Sequence, residues 1–326
     1  MPEPNPSRQI LRDLLQGSPS ARPLFVPITF AMASRIENLP PPSFLTNPTK
    51  ISNALRQIRA ALRADAVSCY FDPRLEADAL GAKDVLPGEL PNGLASPKDA
   101  VKRGRVPVAL DVVRRLKALL RDDTLLAAGV SGPLTLGARL TGFPTPTVAR
   151  ADLPEAALEL ATATISEIAK AFAEAGANLI LLQEHVTPGP DTASLEEWRS
   201  SMTPIFNIIR FYEALPVLHI TTDVSASADP PLSASLAKTW LDCVVSLPLE
   251  TLRNLSANAR PNIPSAKLGV SLPLSAFQPN AADFDQMLKE TIREFRPAIV
   301  TTATDLPITT DSKRVAELSE IVSHSS

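Results

Sequence analysis

Histidine, cysteine, tryptophan and tyrosine are all scarce in this chain of 326 residues, which carries three, two, two and two of them. Cys69 and Cys243 each sit inside an apolar stretch, are too few for a disulfide framework, and have no partner at metal-ligand spacing. They read as small core hydrophobes, and their rarity fits a reducing compartment, so a cytoplasmic protein is expected. Glycine is sparse too, at 12, and neither G-x-G-x-x-G nor G-x-x-x-x-G-K-[ST] occurs, which removes the main support for nucleotide binding. The net charge of -3 comes with no Lys/Arg-rich run and no aromatic-basic interleaving, so a nucleic-acid partner is not expected. No run of about 18 apolar residues is available to span a bilayer. The opening "MPEPNPSRQILRDLLQGSPSARP" has no apolar core of signal-peptide length, so the chain is expected to be soluble, with no membrane partner.

Proline is the residue in excess. Its 32 copies amount to roughly double average usage, and they punctuate element ends: "LPPPSF" (39–44), "DVLPGELPNGLASP" (84–97) and "ADPPLS" (228–233) read as loops. Between these breaks, short β-branched runs alternate with amphipathic helical stretches, the pattern of βα units around a parallel sheet. Strands are expected at 23–31, 66–71, 124–130, 178–183, 217–222, 243–247, 267–272 and 298–303. Helices are expected at 47–63, 153–175, 194–213, 282–296 and 311–323. In 153–175, Leu158, Ala161, Ile165, Ile168 and Phe172 form one apolar stripe to lay on a sheet. Eight strands followed by helical sequence predict a single α/β domain, a (β/α)8 TIM barrel over 23–326, preceded by an N-terminal extension (1–22) with a short helix. A doubly wound open sheet is the alternative.

In a barrel the chemistry lies at the carboxyl ends of the strands. Those ends carry Arg35 and Glu37, then Tyr70, Phe71 and Asp72, then Gln183, Glu184 and His185, then His219 and Asp223, and finally Thr301, Thr302 and Asp305. Two of the three histidines thus converge on one face, the third, His324, being near the C-terminus. Glu184 and His185 are adjacent, so a regular strand would point them to opposite sides, a rule that loosens at a strand end. Facing the cleft, a buried Glu184 would have a raised pKa suited to proton transfer; facing away, it would be bonded to a neighbouring loop. His219 is either a cleft residue or a neutral core histidine. Glu184, His185 and His219, with Asp223, could also form a catalytic zinc site of three ligands plus water. Asp72, ahead of Pro73, suits a turn or helix cap as well as a functional role. Gly132 and Pro133 shape the turn into the following helix.

"GVSGPLTLGARLTG" (129–142), "AEAGANLILLQEH" (173–185), "YFDPRLEADALGAK" (70–83) and, more faintly, "RPLFVPITFAMASRIENLP" (22–40) together resemble the uroporphyrinogen decarboxylase superfamily, in order and over about residues 7–323. The resemblance implies a (β/α)8 barrel. It also implies one of two chemistries, cofactor-free decarboxylation of a tetrapyrrole or zinc-dependent methyl transfer between corrinoids and thiols. By this likeness Arg35 falls on a substrate-gripping arginine and Asp72 on the aspartate that holds pyrrole N–H groups. Ala31 replaces the other arginine, Arg139 a cleft tyrosine and His185 a cleft serine, and "TTATDLP" (301–307) has no histidine. His219 matches the histidine of the methyltransferases' His-x-Cys, but Thr221 replaces the cysteine, and the late segment offers Ala303 and Thr304. The zinc set is therefore incomplete in thiolates, which make zinc binding tight.

The expectation is a remodelled enzyme, methyltransferase-type or handling a small carboxylate. Arg35 and Arg139 would bind substrate, and Asp72, Glu184, His185 and His219 would supply the chemistry with zinc or with no cofactor. The alternatives are authentic uroporphyrinogen decarboxylation in tetrapyrrole synthesis and a non-catalytic barrel that binds a corrinoid protein. The expected partners are a small-molecule substrate (tetrapyrrole or methyl donor) and a corrinoid protein, and the decarboxylase likeness implies a homodimer.

Overall fold

The computed structural model describes residues 5–325 except 84, 121–123, 145–149, 187, 189–191, 222–241, 259–263 and 279–281. Eight strands, β1 (Leu24–Val26), β2 (Ala66–Tyr70), β3 (Leu125–Ser131), β4 (Leu179–Glu184), β5 (Leu215–Ile220), β6 (Val244–Pro248), β7 (Leu268–Leu272) and β8 (Ile299–Thr302), form one parallel sheet. Its order is β1-β8-β7-β6-β5-β4-β3-β2, the ring order of a nearly closed (β/α)8 barrel. Parallel neighbours need crossover connections, and helices such as Pro48–Leu62, Glu155–Ala175 and Thr192–Phe211 supply them. The expected stripe on Glu155–Ala175 is buried in full.

The first strand is shorter than its sequence suggests. Pro27 has no N–H for a ladder, and Phe30 and Ala31, expected to end the strand, instead open the helix Phe30–Ser34. Its start is held from a distance: Ala31 N–H donates to the Asp305 carboxylate at 2.9 and 3.1 Å.

Among the described residues no ladder joins β1 to β2. That seam is closed by Asp65. Its N–H donates to the Phe25 carbonyl at 3.1 Å, and its carboxylate accepts from Phe25 N–H at 2.8 Å and from both Arg22 Nη atoms at 2.8 Å. The Ser7 hydroxyl donates to the same carboxylate, and Ser68 Oγ bonds the Pro27 carbonyl at 2.7 Å.

Two apolar clusters divide the strands by period 2. Leu24, Val26, Leu125, Ala127, Leu179, Leu181, Leu215, Val217 and Val244 fill the barrel, while Leu126, Ala128, Ile180, Leu182, Leu218, Ile220, Val245 and Leu247 meet the helices. The N-terminal helix, Pro6–Leu15, starts with an Asn5 cap and Pro6 in its first turn. Its Ile10, Leu11 and Leu14 belong to the interior cluster, so this segment plugs the barrel rather than trailing from it. No helix among the described residues is long and apolar enough to cross a membrane.

Candidate active site

Following the same alternation upward, the apolar interior gives way to Gln183 on β4, His219 on β5, Ser246 on β6, Ser271 on β7 and Thr301 on β8. Phe71 reaches over this layer from the end of β2. Its ring lies against Gly129, where any Cβ would overlap it. A polar layer therefore caps an apolar barrel at the carboxyl ends.

His219 is fully buried. Its Nε2 lies 3.2 Å from the Ala303 carbonyl. A carbonyl only accepts, so Nε2 carries the proton and Nδ1 is an acceptor. Among the described residues that Nδ1 has no partner, and neither have the buried hydroxyls of Ser246 and Ser271. His219 pairs with Ser246 across β5 and β6, and Ser271 follows on β7. Three consecutive strands thus direct unanswered polar atoms into the barrel, each an incomplete hydrogen bond that costs about 1–3 kcal/mol unless water or a ligand completes it.

Glu184 faces the other way. It is fully buried against the start of helix Pro133–Leu140. Its Oε1 accepts Leu134 N–H at 3.0 Å, and Oε2 accepts Thr135 N–H at 2.9 Å and Thr135 Oγ at 2.6 Å. The residue at the N-cap position is Gly132, which has no side chain to cap with. A Cβ there would overlap Glu184, so the glycine makes room for a carboxylate supplied by the next strand. Burial pushes the Glu184 carboxyl up to about 7 against the pull of these donors. The period-2 rule thus holds at the strand end, and Glu184 is a helix cap rather than a group presented to the cleft.

His185 takes the cleft side. Its backbone N–H donates to Thr135 Oγ at 2.8 Å, and its Nδ1 lies 2.5 Å from Thr221 Oγ. Thr221 Oγ also donates to the Glu184 carbonyl at 3.2 Å. With that proton committed, the hydroxyl accepts Nδ1–H and leaves Nε2 as the acceptor of the ring. Desolvation lowers His185 to about 4, helped by the charge of Arg139; desolvation also lowers His219 to about 4. Both imidazoles are neutral at pH 7.

Arg139 lies on the helix that Glu184 caps. Its Nη1 donates to Ser131 Oγ at 2.6 Å, and that hydroxyl donates to Glu76 at 2.9 Å. Glu76 is fully buried, also accepts Ser131 N–H at 2.9 Å, and has a raised pKa from desolvation. Asp72 holds the Arg74 N–H at 3.0 Å, as a turn residue would, and pairs with Arg105 Nε at 2.7 Å. Glu76 and Arg105 were not singled out by the sequence. The only trace of Glu76 there is its place in the "LEADALGAK" stretch, while Arg105 stands 33 residues beyond its partner. Arg35 is exposed at the end of helix Phe30–Ser34, and Glu37 lies 4.0 Å from Lys50 rather than against Arg35.

The donor set does not fit zinc. Glu184 is turned to a helix start, His219 Nε2 to a carbonyl, and His185 Nδ1 to a hydroxyl, so these three do not assemble as ligands. Asp223 lies outside the described residues. Cys69 and Cys243 are fully buried, with burial raising both thiols, and among the described residues no group of at least 3 His, Cys, Asp or Glu could hold a metal ion.

These shifts carry a sign. Glu184 has a folded pKa above its unfolded one, so its contribution to stability is greatest below about 4.5 and falls as pH rises toward about 7. His185 and His219 have depressed values, and their contribution is lost as pH falls from about 6.5 to about 4. The two trends oppose each other. Glu184→Gln removes one of them, and its urea-unfolding free energy is expected to drop below that of wild type by a further ~3 kcal/mol on going from pH 7 to pH 4.5. Parallel pH profiles for the two proteins would refute the Glu184 assignment.

A nearly closed parallel barrel with a polar, histidine-bearing mouth defines a (β/α)8-barrel protein whose candidate site lies at the carboxyl ends of the strands. Residues 7–222 match the Uroporphyrinogen decarboxylase (URO-D) family, and the chain belongs to that family. Two curated relatives, both a Methylcobamide:CoM methyltransferase MtaA, from Methanosarcina barkeri and from its strain Fusaro / DSM 804, are 29% and 27% identical over 139 residues. The match takes in 41% of this chain and 41% of each relative, so the chain spans about two fifths of the length of the relatives it matches. A methyltransferase from Methanosarcina mazei shares the fold, with a TM-score of 0.75 at 19% identity over 98% of this chain and 99% of that one.

Proposed function

We propose that this protein is a methyl-transfer enzyme of the family, taking its methyl group from a methylcobamide, free or on a corrinoid protein, and passing it to a small anionic thiol. The observation that carries this reading is the pair of neutral imidazoles at a mouth that also holds Arg139. The curated relatives' activity supports the reaction class. In such a transfer the methyl leaves cobalt without the bonding pair, cobalt(III) becomes cobalt(I), the thiol sulfur forms the new bond, and its proton departs. Neutral His185 would accept the thiol's hydrogen bond through Nε2 and pass the proton outward, while Arg139 offsets the negative charge of the acceptor. Arg35, exposed at the rim, would meet an acidic group of the donor. Asp72, already bound to Arg105, is poorly placed to hold pyrrole N–H groups, which disfavours decarboxylation of a porphyrinogen.

The test is anaerobic incubation with methylcobalamin and 2-mercaptoethanesulfonate, reading cobalt(I) by absorbance and the methyl thioether by mass spectrometry, beside a parallel incubation with uroporphyrinogen. Methyl transfer that falls about 100-fold in kcat in His185→Ala supports the reading. Absence of thioether, or loss of carboxylates from uroporphyrinogen, refutes it.

A further inference from the structure

Helix Pro133–Leu140 and the turns beside it border a half-open pocket of about 380 Å³, lined by Arg74, Lys83 and Arg139 as its charged residues and walled by Ala77, Ala82, Val85 and Phe143. Among the described residues that line it, none is a carboxylate. The described carboxylates nearby already have partners, and Asp78 pairs with the lining Arg74 itself. Asp78 accepts Arg74 at 3.2 Å and Arg105 at 2.8 Å, Asp72 accepts Arg105, and Glu76 accepts Ser131. Lys83 forms no ion pair among the described residues. Arg139 uses one N–H on Ser131 and is within ion-pair distance of no carboxylate there, its interactions with Glu76, Glu184 and Asp72 being longer in range. A guanidinium has five N–H donors, and this one is largely desolvated, which lowers its pKa. The cavity therefore has an excess of positive charge beside an apolar wall.

We propose that this cavity binds the anionic end of a small organic acid, a carboxylate or sulfonate on a short carbon chain. Arg139 supplies the fork, Lys83 supplies the surrounding charge, Arg74 stands beside them with its charge shared with Asp78, and Val85 and Phe143 cover the carbon chain. The binding does not rest on the methyl-transfer reading.

Calorimetric titration of the full chain with succinate, ethanesulfonate and the uncharged succinamide tests the site apart from turnover. Succinate and ethanesulfonate are expected to bind and succinamide to bind about tenfold or more weakly, with affinity falling as salt rises. Lys83→Gln, a change at an exposed position, is expected to weaken succinate by about fivefold, and Arg139→Lys by about tenfold at an unchanged thermal midpoint. Equal binding of succinate and succinamide, or succinate affinity unchanged in both variants, overturns the proposal. Methyl transfer without acid binding refutes this site and leaves the function standing; acid binding without methyl transfer does the reverse.

Discussion

Asp65→Asn is expected to lower the unfolding free energy by about 3 kcal/mol or more, the range for breaking a buried ion pair by removing one partner. The Asp65 carboxylate receives only donors, from Arg22, Phe25 and Ser7, and its side chain is 8% exposed. An amide of the same shape must set its own N–H groups against one of those donors and leaves Arg22 without its counter-charge. The place makes this costly. Among the described residues no ladder spans the seam between β1 and β2, so the lost bonds are among the few that close the barrel. Urea unfolding measures the effect, and an Arg22→Met, Asp65→Leu double variant should recover part of the loss because no charge is left unpaired. A single-variant loss below about 1 kcal/mol would show that the seam is held by something else.

Gly132→Ala should be comparably damaging, at about 3 kcal/mol, at an N-cap position where alanine is already a poor residue. The added methyl cannot coexist with Glu184, so the strain of overpacking and the lost cap act together. The displacement also reaches the cleft, because Thr135 Oγ both donates to Glu184 and accepts the His185 N–H. Thermal unfolding of Gly132→Ala, Glu184→Ala and the double variant separates the terms. The double variant is expected to lie above Gly132→Ala, since removing the carboxylate relieves the overlap. Strict additivity of the two changes would mean that the pair do not interact.

The barrel was legible because each strand is a short, largely apolar run set between helical stretches, and all eight appear close to their expected positions. The exception, β1, fails where Asp305 stabilises a helix start in the middle of an apolar run, an effect of a residue 274 positions away. The site was legible as a face and illegible in its pairings. Alternation along β4 sorts Glu184 from His185, yet only the neighbouring helix shows that a carboxylate on the outer side has a use. Asp72 carries both the turn role and an ion pair, and the arginine it pairs with has no pattern that marks it. The tautomer of His219 follows from a single carbonyl, Ala303, which no spacing rule selects.

Glu76, Glu184 and Asp305 share one geometry. Each carboxylate binds backbone N–H groups of a different βα unit: Glu76, following β2, at the end of β3; Glu184, on β4, at the helix after β3; and Asp305, following β8, at the helix after β1. The loops around the mouth are consequently not interchangeable parts. A loop transplanted from another barrel would arrive without the hook its neighbour needs, or with a side chain where position 132 must be bare. Evolution of a new specificity at this mouth must then proceed through paired changes, with positions 132 and 184 drifting together and 76 with 131, while Lys83, in no ion pair among the described residues, can vary alone.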